Sequence, residues 1–206
     1  MILNILMQFC NLIAIAFGIS NRRYLNHPMI KVFLLYLIFS EIIEIGLMIL
    51  AQMGTKNHFL VNIFSLGTFS YLASLFFYYF IRKKDLFYIF WPLFIIVLLN
   101  IIHISEFNNI LLISTNSLTI FFSGYLIIRE SNNDNISIVQ NAFFWINAGM
   151  LIYFFSTLSI LIMFNYMTNP QHKIIWTYFK YFNFITTVFS NSLYIKGFLC
   201  CKTMKY

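Results

Sequence analysis

Glu41 and Glu44 stand three residues apart within MIKVFLLYLIFSEIIEIGLMILAQM, an apolar stretch covering residues 29–53. On a helix that spacing puts both carboxylates on one face, about 4.5 Å apart along the axis at the 1.5 Å rise per residue. A charge at the middle of a bilayer costs about 2.5 to 3.5 kcal/mol on insertion scales, so two acids in one turn mark a candidate functional site. Close carboxylates in a low dielectric do not both ionise unaided, so the pair is expected to hold a proton or meet a cation. Three chemistries follow. Paired acids activate water in a hydrolase, with His103 as an accessory proton carrier. They relay protons or ions, here through Glu41, Glu44 and Lys180. Or they line the ligand cavity of a receptor.

The elements that must position these groups are apolar runs of helix length. Seven are read, at residues 2–19, 29–53, 59–81, 86–104, 110–128, 141–164 and 174–199. Runs of this length cross a hydrocarbon layer of about 30 Å. Short polar islands separate them, including Arg22, Arg23 and Pro28, then Arg82, Lys83, Lys84 and Asp85, and the loop at 129–140. The first run has no basic leader and no small-residue cleavage pattern, so it is read as a retained helix.

The last run carries Lys180, Asn183, Thr187, Ser190 and Tyr194 at spacings of three, four, three and four, with Asn191 beside them. Such a polar stripe is expected to face a bundle interior. Glu44 lies about 14 Å below the end of its span and Lys180 about 10 Å below the same side, at 1.5 Å per residue. A Glu44–Lys180 ion pair is therefore expected, with Glu41, deeper and without a cation at its level, as the protonated acid. Asn62, Asn100, Asn116 and Asn147 are expected to join Glu41, Glu44, Lys180, Asn183 and Asn191 around one polar cavity opening outward. Gly149 and Tyr153 are expected beside it. The competing reading is that the Asn, Ser and Thr residues are hydrogen-bonding glue between helices.

With 61% hydrophobic and only 9% charged residues and a mean hydropathy of +0.81, the chain has too little polar surface for a water-soluble globule. The runs are continuously apolar rather than alternating, which excludes a β-barrel. The fold class is an all-α membrane protein, a single polytopic domain over residues 1–206. Ten of the 13 Lys and Arg residues fall on one side of the seven-span scheme: Arg22, Arg23, Lys31, Arg82, Lys83, Lys84, Arg129, Lys196, Lys202 and Lys205. Lys56, Lys173 and Lys180 fall on the other. The asymmetry places the N-terminus outside and the C-terminus in the cytoplasm. The net charge of +7 then reflects topology and lipid contact, not nucleic-acid binding. Cys10, Cys200 and Cys201 form no CxxC pair and are read as structural, with no metal or cofactor site expected.

The segments SEIIEI, LFFYYF, FFWINAGMLIYF and SLYIKGF resemble a group of small, uncharacterised seven-helix bacterial integral membrane proteins of about this length. That resemblance implies location in the cytoplasmic (inner) membrane and a role beside sensor kinases, hence a signalling partner in addition to membrane lipid. A retinal protein would need a mid-membrane lysine in the seventh span and an acid in the third. Lys180 lies high, Lys196 low, and the third span has no acid. A hydrolase of the lysoplasmalogenase type has similar size, but no GxSxG or HExxH motif is present. A receptor-like or signalling-accessory protein is the favoured expectation. A lipid hydrolase using the paired Glu and a proton- or ion-conducting protein are the alternatives.

Overall fold

The computed structural model describes residues 2–54, 58–80, 109–132, 137–167 and 173–202. Among these, all regular structure is helical: α1 Ile2–Ser20, α2 Pro28–Gln52, α3 His58–Phe80, α4 Asn109–Ser131, α5 Ala142–Met167 and α6 Lys173–Cys200, with short 3-10 turns at Arg22–Tyr24 and Ile138–Gln140. The sequence-predicted run at 86–104, with Asn100 and His103, lies outside the described residues.

Local chemistry sets the helix ends. Pro28 occupies the first turn of α2, where its missing N–H is harmless, and the preceding His27 caps the helix by accepting the Met29 N–H at its Nδ1, 3.2 Å. That bond fixes the neutral tautomer with the proton on Nε2, which lies 3.1 Å from the Tyr78 hydroxyl. Burial among Tyr78 and Phe143, whose rings meet the imidazole edge-on, pushes His27 down from its ordinary 6.5 to about 4. α2 ends at Gly54, whose φ of +67° suits a residue without a side chain. Asn141 opens α5 by accepting the Phe144 N–H at 3.2 Å, while its amide donates to Glu130 Oε2 at 2.9 Å and so ties α4 to α5.

The main contacts trace a closed ring in which α1 touches α2 and α6, α3 joins α2 to α4, and α5 joins α4 to α6. Among the described residues, five helices are long and apolar enough to cross a membrane: α1, α2, α3, α4 and α5. α6 is long enough at 28 residues, but Lys180, Asn183, Thr187, Ser190 and Asn191 lower its hydropathy.

The ring is apolar without, and within it polar side chains sit among an apolar core. Ile42, Phe121, Phe155, Ile162, Ile185 and Phe189 are exposed, while Asn62, Asn116, Thr119, Asn147 and Ser190 are buried. Lipid rather than water suits that outward surface. At the centre, Phe33 meets Tyr194 edge-on at 5.0 Å and Tyr36 stacks on Tyr71 at 4.9 Å, the offset and edge geometries that aromatic quadrupoles favour.

Most hydroxyls serve their own helix instead of bridging to another. Ser40, Ser65, Thr115 and Thr119 each donate to the carbonyl four residues back. The Tyr36–Thr68 contact at 3.2 Å and the Thr186–Ser156 bond at 3.1 Å do cross between helices. Cys200 and Cys201 are buried and Cys10 is partly buried, and burial pushes the Cys201 thiol up to about 12.

Candidate functional site

Inside the ring lies a cavity of about 30 Å³, room for one or two waters. Its walls are Asn11 and Ile15 from α1, Tyr36, Leu37, Ser40, Glu41 and Glu44 from α2, Phe64 from α3, Tyr153 and Phe154 from α5, and Asn191 and Tyr194 from α6. The helical repeat explains the convergence. Gln8 and Asn11 are three apart on α1, as Glu41 and Glu44 are on α2, so two polar faces of matching pitch pack against each other.

The hydrogen bonds run between those faces. Asn11 Nδ2 donates to Glu41 Oε2 at 2.9 Å and to Glu44 Oε2 at 3.3 Å, so one amide serves both carboxylates. Gln8 Nε2 donates to Glu44 Oε2 at 2.9 Å, and the Tyr153 hydroxyl donates to Glu44 Oε1 at 3.1 Å. Asn191 Nδ2 donates to Asn11 Oδ1 at 2.7 Å and to its own helix at Thr187 O, 2.9 Å. This orients the Asn11 amide with its nitrogen toward the acids.

The two acids are not equivalent. Glu41 is 4% exposed, and no donor among the described residues reaches its buried Oε1. Glu44 is partly exposed, with both oxygens hydrogen-bonded. Both belong to a lining that contains no Lys, Arg or His among the described residues.

Of the residues expected around the polar cavity, Glu41, Glu44 and Asn191 line it, as does Tyr153. The expected Glu44–Lys180 ion pair is not made. Neutral donors from Gln8, Asn11 and Tyr153 take the Glu44 oxygens, and the exposed Lys180 lines a separate recess of about 270 Å³ with Asn4, Met7, Ile160, Phe179 and Asn183. The depth match failed along the axis: Lys180 and Asn183 share the polar face of α6 with Asn191, but lie about three and two turns before it, and it is Asn191 and Tyr194 that reach the cavity. Asn62, Asn116 and Asn147 are buried but do not line this cavity; the Asn147 amide donates to Phe143 O of its own helix at 2.8 Å. Asn100 and His103 fall outside the described residues.

Gly149 has a packing role. A side-chain carbon there would come 2.5 Å from Tyr194 Cε1 and 2.9 Å from Ser190 O, so its absence lets α5 lie on α6 and Tyr194 fold toward the cavity. Sequence reasoning missed Gln8 and Asn11. The signal was present in Asn4, Gln8 and Asn11, spaced four and three on an otherwise apolar helix.

No protein-family model, curated protein or solved structure matches the chain, so its likeness to other proteins adds no family to what the geometry itself supports.

Proposed function

We propose that the chain is a receptor-like, signalling-accessory component of the cytoplasmic membrane, a single polytopic domain of seven spans with its N-terminus outside and its C-terminus in the cytoplasm. It responds to what occupies the Glu41–Glu44 cavity and works through a partner protein. The observation that carries this reading is the shared donor set: Asn11, Gln8, Tyr153 and Asn191 connect the acids to α1, α5 and α6. A change of charge at Glu41 or Glu44 is therefore felt by four helices together. The partner is contacted on the cytoplasmic side of this scheme, through the basic residues Arg82, Lys83 and Lys84, which lie outside the described residues, through the 129–140 segment and through the tail.

The lipid-hydrolase alternative is less well supported. A cavity of about 30 Å³ is far below the roughly 300 to 1,000 Å³ of small-molecule sites, and Glu44 has no oxygen left without a donor. Proton or ion passage keeps one observation in its favour, the donor-free Glu41 Oε1.

The test is mild extraction of tagged wild type and Glu41→Gln from native membranes, with quantitative comparison of co-purifying proteins. A partner whose recovery changes with the charge at residue 41 supports the proposal. Equal recovery of every protein in both samples overturns it. Flux in proteoliposomes tests ion passage, and release of fatty acid from supplied lipid tests the hydrolase.

A further inference from the structure

We infer that the cavity binds a small monovalent alkali cation, of the sodium class, at the buried carboxylate of Glu41. The inference rests on reading this cavity as the responsive site and names what occupies it.

Three observations converge. The lining holds two carboxylates and, among the described residues, no cationic side chain. Glu41 is 4% exposed yet its buried Oε1 meets no donor from those residues, and the Oε1 of neighbouring Gln8 is likewise buried without a donor. The space beside the acids is about 30 Å³, which fits a bare ion with a water but no larger ligand. An acceptor left without a donor in a buried site is expensive, by about 1 to 3 kcal/mol and more when charged.

The chemistry of the wall selects the ion. Apart from the Asn11 amide, which turns its nitrogen to the acids, the polar side chains in the lining include the carboxylates of Glu41 and Glu44, the hydroxyl of Ser40 and the phenols of Tyr36, Tyr153 and Tyr194, oxygen donors of the kind that hard cations prefer over transition metals. No group of three or more His, Cys, Asp or Glu residues exists among the described residues. Calcium takes six to eight oxygens and often several carboxylates. Here Gln8, Asn11 and Tyr153 already occupy Glu44, leaving one free carboxylate oxygen. A single positive charge matches that remaining capacity. A proton on Glu41 Oε1 is the competing occupant, and a dependence of stability on the cation at fixed pH separates the two.

The experiment is thermal unfolding of the purified full chain in detergent, in sodium, lithium, potassium or choline chloride at equal ionic strength and fixed pH. Wild type is expected to melt several degrees higher in sodium than in choline, with a saturable dependence on sodium concentration. Glu41→Gln, an isostere without the charge, is expected to lose the difference. Equal melting of wild type in all four salts overturns the inference, as does an undiminished sodium effect in Glu41→Gln. Stability that tracks pH at residue 41 but ignores the cation also overturns it, identifying a proton as the occupant. These wild-type salt series require no partner, so they can fail while the partner comparison succeeds, and the reverse.

Discussion

Asn191 donates to Asn11 Oδ1 at 2.7 Å, joining the last described helix to the first across 180 residues of chain. The bond turns the Asn11 amide so that its nitrogen faces Glu41 and Glu44. Asn191 thus acts on the acids without touching them. Asn11→Ala is expected to destabilise by about 2 to 3 kcal/mol, since it strips donors from two carboxyl groups, and Asn191→Ala by about 1 kcal/mol. The double variant should fall short of the sum of the singles, because the Asn191 contribution passes through Asn11. Chemical or thermal unfolding in detergent measures all three; strict additivity would contradict the relay.

Close approach of α5 and α6 gives a second expectation. Gly149→Ala forces a carbon against the Tyr194 ring and the Ser190 carbonyl, and a loss of about 1 to 3 kcal/mol follows from overpacking. Gly124→Ala is the control, as the nearest atom to its added carbon is Leu151 Cδ1 at 3.7 Å. That variant should be neutral or slightly stabilising, by about 1 kcal/mol at most, through better helix propensity. Comparable losses at both positions would argue against the packing.

Lys180 and Glu44 should behave independently. With Glu44 held by Gln8, Asn11 and Tyr153, the coupling between Lys180→Gln and Glu44→Gln is expected to stay below about 0.5 kcal/mol. The effect of Lys180→Gln should be the same in a Glu44→Gln background. A coupling well above that scale in the double-mutant cycle would restore the ion pair.

His27 provides a pH dependence. Its imidazole is held down to about 4 from 6.5, so the unfolded chain binds a proton between those values while the folded chain resists it. The contribution is fully present above pH 6.5 and is lost as pH falls through about 4. His27→Asn keeps a capping side chain without the titration. Melting temperatures of the variant are expected to decline less between pH 6.5 and 4 than those of wild type; equal declines would remove His27 as the source.

The positions of the described helices were legible because they depend on local features. Pro28 and Gly54 bracket α2 within a residue of the expected 29–53. The inward face of α6 was legible too, since Thr187, Ser190, Asn191 and Tyr194 repeat at helical spacing and are buried. Partner choice was not. Depth along the axis made Lys180 look like the match for Glu44, but which helix stands beside which is a property of the ring, and α1 brought neutral amides where a cation was expected. Asn147 illustrates the same limit. Its burial could be anticipated, but its amide turns to the Phe143 carbonyl of its own helix, which no residue pattern announces.

The placement of Gln8 and Asn11 bears on how such a chain is made. N-terminal segments emerge first during synthesis, and α1 and α2 are consecutive, joined by a short turn. The hairpin they form already contains amide donors for both of its acids. Two consecutive helices thus hold the acids together with their amide donors, and α5 and α6 add Tyr153 and Asn191 from far along the chain.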